Sequence, residues 1–136
     1  MLLVAPLLVA AVMHAYNVFK CRAVIQATGG VLRTRRDLAP LREAVNASMM
    51  LAIAYIALFV LLIVMLAVRV LAGGAFTEAA GVLFWFGVIT LPLGLWGKKH
   101  EKKIQNLAVE STDPEVEATY RRWLAQWKEP RLRLPD

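Results

Sequence analysis

The sequence predicts an all-α integral membrane protein. It has three transmembrane helices, an outside N-terminus and a cytoplasmic C-terminus, followed by a cytoplasmic amphipathic C-terminal helix. Three observations predict this class. First, three stretches carry no Asp, Glu, Lys or Arg: Met1 to Phe19, Ala44 to Val68 and Ala79 to Gly97, of 19, 25 and 19 residues. A helix crossing a hydrocarbon core about 30 Å thick needs roughly 20 apolar residues, at ~1.5 Å rise each. Lipid offers no partner to backbone N–H and C=O groups, so such runs are required to be helical. Second, Lys and Arg gather on alternate connections. Third, the polar tail carries apolar residues at helical spacing.

The first run is read as a retained span, since positive charge follows its apolar stretch and no small-x-small cleavage pattern closes it. Helix 1 is predicted from about Leu2 to Thr28, where Gly29-Gly30 supplies a left-handed stop. A short basic link, Val31 to Arg36, follows. Asp37 is the expected N-cap of helix 2, with Pro40 in the first turn, where a missing N–H costs little. Nothing then breaks the helix before Gly73-Gly74, so helix 2 extends beyond the bilayer at its basic end. The turn from Ala72 to Phe76 makes helices 2 and 3 an antiparallel hairpin, with Thr77 capping helix 3 and Pro92 bending it. Helix is expected to continue through Lys98 to Val109. In the tail, Thr112 with Glu115 and Asp113 with Pro114 both fit a helix start. That helix is expected to end before Pro130. Val116, Tyr120, Trp123, Leu124 and Trp127 form one stripe of a 3.6-residue period.

Orientation follows from charge. Lys20 to Glu43 holds six basic residues against two acidic ones, and the tail opens with Lys98, Lys99, Lys102 and Lys103. The connection between helices 2 and 3 carries only Arg69 and Glu78. Positive-inside counting places both basic segments in the cytoplasm, and an odd number of spans lets them share that side. The chain divides into a membrane domain, residues 1–109 with its basic link at 20–43, and a cytoplasmic helix and tail, 110–136. The expected location is multi-pass in a bacterial inner membrane or another plasma membrane.

With 59% apolar residues and basic groups at membrane flanks, the net charge of +6 is read as lipid-directed, not as a nucleic-acid signal. The lone Cys21 excludes an internal disulfide; it is expected to be buried, with acylation beside Lys20 and Arg22 the rival reading. His14 and Asn17, spaced i, i+3, share a helix face with Ala10 and Cys21 and are the intramembrane polar candidates. Ionisable groups in lipid by default suggest function; the favoured reading here is an interhelical hydrogen bond. Lys20, Arg22, Lys98 and Lys99 are expected at lipid headgroups. Tyr120, Trp123, Leu124 and Trp127 are expected to contact a partner protein or the membrane surface, with protein contact favoured. Small residues recur at Ala11 and Ala15, Ser48 and Ala52, and Gly81, Gly87 and Gly94, where helices can approach closely. Arg69 and Glu78 are expected to mark helix ends at the headgroups, with a weak ion pair as the alternative.

No HExxH, CxxC, phosphate-binding glycine loop or pair of intramembrane carboxylates occurs. No catalytic residue, metal ligand or cofactor is expected, and an enzyme is the less favoured class. The expected function is that of an interaction protein: an accessory or scaffold subunit of a larger membrane complex, or a homo-oligomer, docking through helix faces and the tail helix. Its expected partners are the bilayer and other membrane subunits or itself. The alternative is a small oligomeric transporter or channel with His14 and Asn17 on its path. A second alternative is a membrane anchor carrying haem or quinone near His14.

Overall fold

The computed structural model describes residues 4–129. Four helices dominate: α1 (Val4–Thr28), α2 (Leu38–Leu71), α3 (Phe76–Gln105) and α4 (Pro114–Trp127). The first three are long and apolar enough to cross a membrane, as expected of a multi-pass membrane protein. α1 packs against both α2 and α3, which meet each other less closely.

Helix ends follow local chemistry. α1 stops at Thr28 because Gly29 and Gly30 take φ of 63° and 83°, a region costly for residues with a Cβ. The α2–α3 turn uses Gly73 at φ 95°, and Gly74 donates to the Arg69 carbonyl at 3.0 Å. A Cβ on Gly74 would stand 2.9 Å from that same oxygen, so the turn closes only around glycine. Two expected caps differ. Asp37 precedes α2 but makes no forward cap bond; its carboxylate accepts instead from the Arg33 and Thr34 N–H groups, both at 2.9 Å, closing a 3₁₀ turn over Arg35–Asp37. Ala75, not Thr77, stands at the N-cap of α3. α3 runs unbroken through Pro92 and ends at Gln105, short of the expected Val109.

The reason α3 stops there is a parallel two-residue pairing. β1 (Val31–Leu32) lies beside β2 (Ala108–Val109), with Val31 opposite Ala108 and Leu32 opposite Val109. Glu110 extends the ladder by donating its N–H to the Leu32 carbonyl at 2.9 Å. This clasp joins the link after α1 to the link after α3. For α4 the start is Asp113-Pro114, not Thr112: Asp113 accepts from the Glu115 N–H at 3.0 Å, and Pro114 takes the first helical position. The alternating residues Arg131 to Pro135 lie outside the described residues.

Two apolar cores result. At the basic end, Cys21, Val24, Leu32, Leu41, Val45, Met49, Ile104 and Leu107 pack with Val116, Tyr120 and Trp123 of α4. At the hairpin end, Ala10, Leu62, Leu66, Ala79 and Phe86 form the second. Much of the remaining apolar surface of the long helices faces outward, including Val12, Phe19, Leu71 and Phe84, as a lipid environment permits.

Candidate functional site

Between the two cores lies a layer of polar side chains, and it contains both intramembrane residues singled out in the sequence. Asn17 is buried at 3% exposure, on the same face of α1 as the fully buried Ala10 and Cys21. Its amide is used at both ends. Nδ2 donates to Glu101 Oε1 at 2.6 Å, while Oδ1 accepts from Ser48 Oγ at 2.6 Å. Ser48 Oγ also lies 3.1 Å from Glu101 Oε1, so one hydroxyl hydrogen serves two acceptors in reach. The triad ties α1, α2 and α3 together at one level. Cys21 completes the α1 face: it is a free, buried thiol whose Sγ donates to Asn17 Oδ1 at 3.7 Å.

One turn deeper, half-buried His14 meets α2 and α3. Its ring stands 5.7 Å from the Tyr55 ring, tilted by 60°. The α3 wall is glycine: a Cβ on Gly97 would lie 3.6 Å from His14 Nδ1, and one on Gly94 would lie 4.0 Å from Cε1. These positions let the imidazole lie close against the helix backbone. Farther along, Tyr55 donates to Thr90 Oγ1 at 2.9 Å, and Thr90 returns its hydrogen to the Phe86 carbonyl at 2.7 Å. Glu101, Asn17, Ser48, His14, Tyr55 and Thr90 thus form a polar file along the seam between α2 and α3. On α3 it covers Thr90 to Glu101, about 16 Å at ~1.5 Å per residue. The seam opens outward as a groove of about 370 Å³, lined by His14, Asn17, Ser48, Tyr55, Gly94, Gly97 and Glu101 among others. The file ends against Phe86, 1% exposed, in the core at the hairpin end.

Other predicted residues are placed apart from this layer. Lys20 pairs with Glu43 at 2.9 Å and lies over the Tyr16 ring; Arg22, Lys98 and Lys99 are exposed, and Lys98 borders the α2–α3 groove. Arg69 and Glu78 approach to 3.5 Å across the turn, an exposed contact worth little. His100 donates from Nδ1 to the Trp96 carbonyl at 2.9 Å and stands edge-on to the Trp96 ring. Among the described residues, no cluster of three His, Cys, Asp or Glu side chains is placed to hold a metal.

The face of α4 expected to meet a partner or lipid packs on the chain itself. Tyr120 and Trp123 are buried; Leu124 and Trp127 pack partly buried at the edge of the same core. Tyr120 donates its hydroxyl to the Ile104 carbonyl at 2.7 Å and accepts from the Leu107 N–H at 3.1 Å, satisfying two groups freed where α3 ends. Burial pushes the Tyr120 hydroxyl above its ordinary pKa, against a smaller opposing effect of the Leu107 N–H. The Trp123 indole N–H is buried without an acceptor among the described residues, which costs about 1–3 kcal/mol against the gain from burying the ring. Arg35 holds the N-terminus of α4 from outside, with Nε 2.6 Å from Asp113 and a second nitrogen 2.5 Å from Glu115. Hydrogen bonding from Arg35, and then from the Glu115 N–H, holds the Asp113 carboxyl below the usual carboxylate range.

Sequence reasoning missed Ser48 as a hydrogen-bonding group and Glu101 altogether. The available cue was that Glu101 is the single acid among Lys98, Lys99, Lys102 and Lys103. Comparison with known proteins finds no matching family model, no matching curated protein and no matching solved structure. Three apolar helices long enough to span therefore define the class of multi-pass membrane protein.

Proposed function

We propose that this chain is a small membrane interaction protein, an accessory or scaffold subunit or a homo-oligomer, with its basic end in the cytoplasm. The observation that carries this reading is the state of the interior polar file. Asn17 and Ser48 use their groups on each other and on Glu101, and the file ends on Phe86 in an apolar core. Such a layer locks helices together and leaves little for chemistry. In this reading the tail helix stabilises the cytoplasmic end of the chain, and partner contact falls to the outward faces of α1, α2 and α3. Purification in mild detergent tests it: a discrete assembly larger than one chain is expected on a native gel or by light scattering. A single chain carrying only detergent and lipid counts against it.

The α2–α3 groove favours one second reading, a small oligomeric transporter with His14 and Asn17 on its path. Three helices enclose no pore alone, so the path would lie between protomers. Flux into liposomes that is lost with His14→Ala supports that reading, and flux that survives the substitution removes it.

A further inference from the structure

A separate groove runs on the opposite side of α1, between α1 and α2, with a volume of about 690 Å³. Its walls are mostly apolar or small, Val12, Met13 and Tyr16 on α1 and Ala47, Met50 and Ala54 on α2, with Asn46 a polar exception one turn from Glu43. The alanines leave the trough, and methionine side chains adapt their shape to what lies in it. At its basic end the groove is closed by an ion pair, Lys20 Nζ to Glu43 Oε2 at 2.9 Å. From Glu43 to Ala54 the α2 wall extends about 16 Å at ~1.5 Å per residue. Half of a hydrocarbon core is about 15 Å. The groove therefore covers one leaflet, with its charged end at headgroup level and its apolar length where an acyl chain lies.

We propose that this groove binds one phospholipid bearing a zwitterionic phosphoethanolamine headgroup. Its phosphate oxygens accept from the Lys20 ammonium, its own ammonium donates to the Glu43 carboxylate, and one acyl chain lies along Met13, Ala47, Met50 and Ala54. Adjacent opposite charges match a headgroup that carries both signs. A purely anionic headgroup would face the Glu43 carboxylate, and a choline headgroup has no N–H to donate to it. The inference rests on the three helices spanning a membrane and on the α1–α2 face being open to lipid.

The test is retention of lipid by the purified full chain, read by native mass spectrometry after equilibration with equal amounts of phosphatidylethanolamine, phosphatidylcholine and phosphatidylglycerol. Phosphatidylethanolamine is expected to exceed each of the others by up to about fivefold, the factor that ~1 kcal/mol of exposed ion pairing converts to. Glu43→Gln, at an exposed position, is expected to abolish that preference. Ala54→Trp fills the deep end of the groove without touching the ion pair, and is expected to lower retention of all three lipids. Equal retention of the three lipids by the unaltered chain overturns the proposal. So does a preference for phosphatidylglycerol, a preference unchanged by Glu43→Gln, or retention unchanged by Ala54→Trp.

Discussion

Asn17 occupies a position where a single side chain bonds two other helices, so its replacement tests whether the polar layer holds the bundle. Asn17→Leu removes a donor from Glu101 and an acceptor from Ser48, leaving the Ser48 hydroxyl to its longer contact with Glu101 Oε1 at 3.1 Å. Its expected cost is about 1–3 kcal/mol, whereas Ser48→Ala, with Asn17 still bound to Glu101, should cost about 0.6 kcal/mol. Reversible unfolding in mixed detergent measures both, and equal costs would remove Asn17 from the centre of the network. A second pair of substitutions separates satisfied from unsatisfied polar groups in the core at the basic end. Tyr120→Phe strands the Leu107 N–H and the Ile104 carbonyl and should cost about 1–3 kcal/mol. Trp123→Phe deletes a buried donor that has no acceptor among the described residues, so its loss of buried area is partly offset and its cost should stay below about 1.5 kcal/mol. His14 and Asn17 were visible in the sequence because polar residues stand out against an uncharged run. Ser48 was read only as a small residue, and Glu101 was masked by the lysines around it, since neither shows its partner until three helices are superposed.

Among the elements, α4 depends on charge as well as on its apolar face, which gives it a pH dependence. The Asp113 carboxyl is held below the usual carboxylate range by Arg35 and the Glu115 N–H. A carboxyl with a depressed pKa contributes stability that is fully present above its unfolded value, about 4. That contribution is lost as pH falls through the lower folded value. Hydrogen-exchange protection over residues 114–127, taken relative to the intrinsic exchange rate at each pH, should therefore hold steady from pH 7 to about 5 and fall below about 4. Arg35→Ala should shrink that acid response, because it removes the largest cause of the depression; an unchanged response would exclude Arg35 as its source. The elements most legible in sequence were those with local signals, such as the glycine stop after Thr28 and the Asp113-Pro114 start. The β1–β2 clasp was not legible, because two-residue segments far apart in the chain have no periodicity to read. The stripe on α4 was legible as apolar, but not its destination: a helix face records that it needs cover without recording which surface supplies it.

For the whole molecule, the clasp, Arg35 and the α4 core gather the link after α1, the end of α3 and the tail into one folded unit at the basic end. Charge counting predicts that this unit is cytoplasmic and that the glycine turn between α2 and α3 faces the opposite side. Cys21 makes the test direct, because the native thiol is buried and should stay unreactive while the chain is folded. Ala75→Cys in the turn and Ala125→Cys on the outer side of α4 both place a new thiol at exposed positions. In intact cells a membrane-impermeant maleimide should label Ala75→Cys and spare Ala125→Cys, and in inverted vesicles the pattern should reverse. Labelling of both from one side would mean an even number of crossings between them. α3, the long apolar helix that connects the two positions, would then not span, and the contacts proposed for its outward face would have to be sought in water instead of lipid.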